Sequence, residues 1–378
     1  MPILVAAGSA KQQALCRSLA EAGLPGLITA SSAAEATEIL ALCDPFAPLS
    51  PFDLILLDHS LPDADLLSLC HRIRNRDQSR EVSIVILTDE HGVPGPVESF
   101  HAGATEWVSG EVGRPEALAR IRRALELKLA ASRQRNERQQ YDEDLALARK
   151  VQRGVLSPPY YTDSIEIDAA YVPSQSLSGD MYYWCQISPG RYGVLLTDVM
   201  GHGLSASLVC MALRTVMHGL VTRVVDPVKV LDELERHIRI LRPNSATALY
   251  VVIDTITKTV EYANAGHPPG LLLQASGRVD LLERTAVPLG FDLAVRPRKQ
   301  VLPLESPARI VLYTDGLVEE RGRSIRVGID TLKQQLVELQ RQGTRQFIAS
   351  TIMGFNKLLE TSDDVTLIAI SLLGPGKS

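Results

Sequence analysis

The sequence predicts two folded units of different class joined by a long helix: a doubly wound α/β unit, then an α+β unit with largely antiparallel sheets. Three observations carry this. Up to Gly110, continuous apolar runs alternate with segments of helical spacing. From about Glu116 to Val155 there is no proline, and Arg, Gln, Glu, Leu and Ala dominate. Beyond Pro159, strand-like runs follow one another and helix-like runs follow one another, the pattern of segregated α+β architecture.

In the first unit, PILVAA (2–7), FDLILLD (52–58), VSIVILTD (82–89) and TEWVSG (105–110) read as strands, while Gln12 to Ala22 and residues 65–76 read as helices. Strands apolar at successive positions are buried on both faces, as in a parallel sheet covered by helices on either side. The long helix has a polar middle, RQRNERQQYDED (133–144). Its ends carry apolar positions at helical spacing: Leu118, Ile121, Leu125 and Leu129, then Leu145, Ala148, Val151 and Val155. Apolar ends around a polar waist suit coiled-coil-like pairing with a second copy, giving a homodimer, or else a solvated spacer. Ser157-Pro158-Pro159 ends it.

The last unit opens with a hairpin, MYYWCQI and RYGVLLTDV, joined by Ser188-Pro189-Gly190. Helices are expected near 204–222 and 227–241. The strands ALYVVIDT, KTVEYANAG, GLLLQAS and ARIVLYTDG follow, then helices near 329–342 and 344–360, and last DDVTLIAISLL.

Composition excludes several classes. The net charge of −5 gives no electrostatic case for nucleic acid or an anionic membrane. Five scattered cysteines (Cys16, Cys43, Cys70, Cys185, Cys210) form no CxxC and read as a reduced set. No basic region precedes the first apolar run, and no run is expected to reach the ~18 residues a membrane helix needs. The expected location is cytoplasmic.

Asp180 (SGDMYYW), Asp198 (TDVMGHG), Asp315 (YTDGLVE) and Asp363 (SDDVTLI) each stand at a strand end or beside a turn. One such aspartate is ordinarily a turn residue. If Ser188-Pro189-Gly190 is a three-residue loop, Ile187 pairs with Arg191, and Asp180 then faces Asp198 with Cβ atoms about 5 Å apart. Like charges so placed are destabilising unless a cation lies between them. Asp315 follows one apolar strand and Asp363 precedes another, so antiparallel pairing of those strands brings them to one sheet end. Carboxylate oxygens suit hard cations, Mg²⁺ or Mn²⁺, and two such ions support phosphoryl hydrolysis without a protein nucleophile.

The stretch LLTDVMGHGLSA nearly matches a dinucleotide-binding turn. That reading needs a second parallel strand within about 30 residues. The helix after Gly203 leads instead to DPVKVLDELERHIRIL, another helix, which disfavours a nicotinamide oxidoreductase.

The ordered set SGDMYYW, TDVMGHG, ATALYVVIDTITKTVEYANAGHPP, VPLG, YTDGLVE and DDVTLI resembles the SpoIIE/RsbU-like branch of PPM-type serine/threonine phosphatases, over most of 145–373. The helix LARKVQRGVLSPP resembles the one leading into that domain. The resemblance implies an αββα sandwich with two Mn²⁺ or Mg²⁺ ions. It implies catalytic and metal-binding roles for Asp180, Asp198, Asp315 and Asp363, with the Val199 carbonyl as a further ligand and Asp364 as the neighbour that could exchange roles with Asp363. It implies, as substrate, a phosphorylated STAS-type anti-sigma-factor antagonist in partner switching. Ser178 stands where the family has the first glycine of Gly-Gly-Asp. His202 and His267 are candidate acids, though each reads more simply as a histidine that holds its loop.

LILLDHSLPD resembles the phosphoacceptor strand of response-regulator receiver domains, which implies a flavodoxin-like fold with Asp58 as the acceptor and Thr88 as the family's Ser/Thr. Two departures mark it as degenerate. The acidic pair expected after the first strand is replaced by Ala6-Ala7-Gly8-Ser9, and Ser109-Gly110 stands where Lys-Pro is expected. Acyl-phosphate chemistry needs a metal to offset phosphoryl charge. The expected role is therefore partner binding or dimerisation, without phosphorylation of Asp58. The boundaries so implied are 1–124 (receiver-like), 125–157 (helical linker) and 158–378 (phosphatase). The alternative is an inactive scaffold that binds partners through both domains.

Overall fold

A computed structural model describes residues 2–24, 26–41, 52–62, 65–75, 82–88, 94–111, 113–201, 203–241, 244–291, 297–319, 324–355 and 363–374. The chain divides into two compact units, Met1–Tyr141 and Asp142–Ser378.

The first unit runs β1 (Ile3–Ala6), α1 (Ser9–Glu21), β2 (Leu27–Ala30), α2 (Ala33–Ala41), β3 (Leu54–Asp58), α3 (Leu66–Arg74), β4 (Ser83–Leu87), α4 (Pro96–His101), β5 (Glu106–Val108) and the start of α5 (Arg114–Gly154). Its sheet has the order β2-β1-β3-β4-β5, parallel throughout. Side chains alternate between two cores because successive strand residues face opposite ways. Leu4, Ile55, Leu57, Ile84 and Ile86 pack against α2 and α3, while Ile3, Val5, Leu54, Leu56 and Val85 pack against α1 and α5. This is the doubly wound arrangement expected, with the flavodoxin-like strand order.

The long helix is one element, but its first apolar stripe has a different partner from the one expected. Leu118, Ile121, Leu125 and Leu129 pack into the core of the first unit. A helical stripe announces which face is covered and not by what. The large apolar side chains of α5 that stay exposed are Leu127, Tyr141, Leu147 and Val151.

The second unit continues with β6 (Tyr160–Tyr161), β7 (Ile165–Val172), β8 (Asp180–Ser188), β9 (Arg191–Val199), α6 (Leu204–Val221), α7 (Pro227–Ile240), β10 (Ala246–Asp254), β11 (Thr259–Ala265), β12 (Gly270–Leu273), β13 (Val279–Leu282), β14 (Gln300–Pro303), β15 (Ala308–Tyr313), a 3₁₀ turn (Asp315–Leu317), α8 (Ile325–Leu339), α9 (Thr344–Phe355) and β16 (Val365–Leu372). The sheets β14-β11-β10-β9-β8 and β13-β12-β15-β16-β7-β6 are antiparallel. Their inner faces share one core, including Trp184, Leu196, Val251, Ile310 and Ile368. α6 and α7 cover the first sheet, and α8 and α9 cover the second. The result is a four-layer αββα sandwich.

One expectation is corrected. α6 has 18 residues with mean hydropathy 1.5, so by length and composition it could cross a membrane. Its Ala206, Val209, Cys210, Leu213, Met217 and Val221 are instead buried against the first sheet. The helix needs this apolar face because it covers a sheet.

Candidate metal centre

Asp180 opens β8, and Asp198 stands one residue from the end of β9; they are direct cross-strand partners. The facing pair expected from the hairpin is present, though the loop differs. Ser188 pairs with Arg191 around a tighter Pro189-Gly190 turn, and an irregularity between Gln186 and Ser188 takes up one residue. The expected register is thereby restored for the rest of the hairpin. Gly190 has φ +76, which a side chain would disfavour at that turn position.

The second pair comes from the other sheet. Asp315 begins the 3₁₀ turn after β15, and Asp363 lies just before β16, the antiparallel neighbour of β15. Gly316 lets these segments touch, since a Cβ there would collide with the Asp364 carbonyl oxygen. Carboxylate oxygens of Asp315, Asp363 and Glu319 lie within 4.8 Å of one another. Glu319 was not singled out from sequence, although it stands four residues after Asp315 within YTDGLVE.

Electrostatics tie the two pairs together. Burial, then the charge of Asp198, pushes the Asp180 carboxyl well above the ordinary carboxylate value. Burial, then the charges of Asp315, Asp363 and Asp364, pushes Asp198 up to about 8. Asp315 is pushed up to about 6 by burial, then by Asp363 and Glu319. These are the signs of crowded carboxylates, whose mutual repulsion a bound cation would relieve. An all-oxygen donor set of this kind fits Mg²⁺ or Mn²⁺.

Asp180 is also held by neutral donors. Its Oδ2 accepts from Thr314 Oγ1 (2.8 Å) and Thr366 Oγ1 (2.6 Å). Both threonines lie inside the motifs YTDG and DDVT, so the signal was present in the sequence. Asp364 braces the preceding loop. Its Oδ1 accepts from Ser174 N (2.7 Å) and Ser174 Oγ (2.9 Å), and its Oδ2 accepts from Gly179 N (2.7 Å). With both oxygens so engaged, Asp364 is placed to hold the backbone, whereas Asp363 lies with Asp315.

Ser178 fits where a glycine was expected because its Oγ accepts from Asp180 N (3.0 Å). Gly179 is the position that needs glycine: a Cβ there would lie 2.9 Å from the Val199 carbonyl oxygen and 3.0 Å from that of Gly201. The GxG turn after Asp198 places Gly201 and Gly203 at positive φ and starts α6. His267 is fully buried, with Nδ1 2.6 Å from Thr247 Oγ1. Burial, then the charge of Arg284, lowers its pKa to about 3, so it is neutral and holds its loop. His202 lies outside the described residues.

In the first unit, Asp58 ends β3 and is buried. Its Oδ1 accepts from Ser60 N (2.9 Å), and its Oδ2 lies 3.8 Å from Lys11 Nζ. Thr88, also buried, contacts the Val108 carbonyl (3.4 Å).

Residues 188–373 match the family described as Stage II sporulation protein E (SpoIIE). The second unit is a SpoIIE/PP2C-type phosphatase domain. The chain is 39% identical over 182 residues to the phosphoserine phosphatase RsbP of Bacillus subtilis (strain 168), covering 47% of this chain and 45% of RsbP. The crystal structure of the RsbU and RsbW domains of Rv1364c from Mycobacterium tuberculosis is similar with a TM-score of 0.51 and 26% identity, over 57% of this chain and 63% of that one. The N-terminal unit is a response-regulator receiver homologue, 39% identical over 74 residues to protein RcaC of Microchaete diplosiphon, or 20% of this chain and 11% of RcaC. The chain therefore spans less than half the length of either curated relative. Of the four aspartates expected from sequence, Asp180 faces Asp198, Asp315 lies with Asp363, and the charges of the second pair act on Asp198.

Proposed function

We propose that the chain is a metal-dependent phosphoserine/phosphothreonine protein phosphatase whose site is the carboxylate cluster of the SpoIIE-type domain. The observation that carries this is the facing pair Asp180 and Asp198, buried and charge-crowded, with Asp315 and Asp363 supplied from the second sheet. Asp180, Asp198, Asp315 and Asp363 would hold two Mn²⁺ or Mg²⁺ ions, with the Val199 carbonyl as a further donor. When bound, the ions would lower the pKa of water for attack and neutralise the phosphoryl group. The chain's own residues prepare the site. Thr314 and Thr366 fix the Asp180 carboxylate, and Asp364 fixes the loop that leads to it. His267 is neutral and bonded to Thr247, so it is not the proton donor.

The substrate would be a phosphorylated partner protein of the anti-sigma-factor-antagonist type, supported by the similarity to RsbP. The first unit would work as an interaction module. Asp58 faces Lys11 and His59, and the segment after β1 offers no carboxylate to complete a metal site. The exposed apolar side chains of α5 would pair two copies, and the location would be cytoplasmic.

The test is hydrolysis of a phosphoserine-bearing STAS protein with and without Mn²⁺, with Asp198→Asn as control. Mn²⁺-dependent release of phosphate that the variant lacks supports the reading. Absence of both turnover and Mn²⁺ binding would leave an inactive scaffold. For the first unit, a mass shift of one phosphate on treatment with acetyl phosphate, lost in Asp58→Asn, would refute the interaction-module role.

A further inference from the structure

The second unit has a cavity at the end of the sheet β13-β12-β15-β16-β7-β6 that lies away from the carboxylates. Its volume is about 860 Å³, within the range of small-molecule sites. The start of β7 and of β15, the end of β16, the end of α8, the turn into α9 and the β12–β13 turn line it. Asp363 precedes β16, and the cavity lies at the far end of that eight-residue strand. At about 3.3 Å per residue, the two places are about 25 Å apart.

Arg309 stands in the cavity wall and is 6% exposed. It shares a face of β15 with Val311 and Tyr313, which pack in the apolar core under α8 and α9. That slot favours an apolar side chain, since a buried charge is unfavourable unless it is paired. Part of its role is structural. Nη1 and Nη2 donate to the carbonyls of Gln340 (3.3 Å) and Gln342 (2.7 Å), and Nε donates to Ser371 Oγ (2.9 Å). The guanidinium lies 4.1 Å from the Phe347 ring centre. A cation is favoured there, beside the carboxyl end of α8.

Those bonds leave two of the five N–H donors of the guanidinium, one on each Nη. Among the described residues neither has an acceptor, and no carboxylate forms an ion pair with Arg309. Glu166 acts on it from behind two hydroxyls: Thr344 Oγ1 donates to Glu166 Oε2 (2.6 Å) and lies 2.7 Å from Ser371 Oγ. Burial lowers the Arg309 pKa to about 10 and the charge of Glu166 opposes this, so the group stays a cation at neutral pH. The exposed Arg345, by contrast, has a carboxylate, Asp168, at 3.9 Å. A second, exposed cation, Arg341, lines the cavity. Thr344 opens α9, whose N-terminal end adds partial positive charge. Gly343 leaves the space before it open, since a Cβ there would meet nothing within 4 Å. Val337, Pro307 and Leu373 supply apolar wall.

We propose that this cavity binds a small organic anion, a carboxylate or phosphate ester with a short aliphatic body, whose head group takes the two unengaged Nη hydrogens of Arg309. Both head groups match a guanidinium fork. Arg341 adds attraction at the exposed side, and the apolar wall covers the body. The site is separate from the metal centre and needs no metal.

The test uses the full chain in chelator, so that no metal-loaded site competes for the probe or hydrolyses it. Calorimetric titrations with n-butyl phosphate and with butanoate are compared with n-butanol. Saturable one-to-one binding of at least one anion, and none of the alcohol, is expected; the tighter anion identifies the head group. Arg309→Met keeps the contact with Phe347, removes the guanidinium, and should weaken that binding about tenfold or more. Arg341→Glu should weaken it about threefold. Arg345→Ala, outside the cavity, should leave it unchanged. No saturable binding of either anion, equal binding of n-butanol, wild-type affinity in Arg309→Met, or an equal loss in Arg345→Ala overturns the proposal. Should Arg309→Met fail to fold, Arg341→Glu carries the test, and wild-type affinity there overturns the proposal equally.

Discussion

Replacing Asp198 by asparagine should stabilise the metal-free protein while abolishing its response to metal. In the fold, burial and three neighbouring carboxylates push Asp198 up to about 8, against an ordinary value of 3.8. At pH 7 the unfolded chain ionises this group freely, and the folded chain does not. With about 1.4 kcal/mol per pH unit, and roughly three units between the ordinary value and pH 7, Asp198 costs the metal-free fold up to about 4 kcal/mol. Asparagine has no charge to suppress but still loses hydration on burial, which leaves a net gain of about 2–3 kcal/mol. For a unit of this size that raises the melting temperature by about 4–12 °C. The assay is thermal unfolding in chelator and in excess Mn²⁺, read on the transition that Mn²⁺ shifts in wild type. Asp198→Asn should melt higher than wild type in chelator and gain little from Mn²⁺. A variant that melts at or below wild type in chelator, or keeps the full response to Mn²⁺, would refute the reasoning.

Because Asp180, Asp198 and Asp315 are all raised, the folded metal-free chain holds protons that the unfolded chain has released. Its stability should therefore fall as pH rises from about 4 to about 8, and urea unfolding across that range that showed the opposite slope would contradict the cluster. Thr314→Val removes a buried donor to Asp180 and an acceptor for Thr366 N, so calorimetric titration should show Mn²⁺ affinity reduced about tenfold. Gly316→Ala should destabilise the second unit by more than about 2 kcal/mol, measured by denaturant unfolding, because its Cβ collides with the Asp364 carbonyl. Leu125→Ala should lower the stability of the first unit by about 2–5 kcal/mol and leave the Mn²⁺-sensitive transition in place; an unchanged first unit would mean that Leu125 is not core.

What could be read from sequence was what local pattern controls. The runs LILLD and SIVIL state a strand buried on both faces, and both are fully buried. The facing of Asp180 and Asp198 followed from hairpin arithmetic, although the turn is tighter than supposed and an irregularity beside Ile187 restores the count. What stayed hidden depends on contacts between distant segments. The hydrogen bond between Gln152 and Ser178 spans 26 residues, and that between Thr366 and Asp180 spans 186; neither spacing has a periodicity to betray it. The stripe Leu118, Ile121, Leu125 and Leu129 was visible as a stripe, but the same spacing serves a coiled coil and the closing helix of an α/β domain alike.

The Asp364 brace bears on the order in which the chain is made. Asp364 holds Ser174 and Gly179, residues 190 and 185 positions earlier. The strand that follows it, β16, lies in the middle of its sheet between β15 and β7, although it is the last strand synthesised of those described. Until Val365–Leu372 has left the ribosome, that sheet has a gap at its centre, and the loop before Asp180 lacks its anchor. Contacts this far apart must close together, so the unit folds late and as a whole. A nascent chain would then carry Asp180 and Asp198 without the carboxylates of the second sheet, and the cluster would be complete only once β16 is in place.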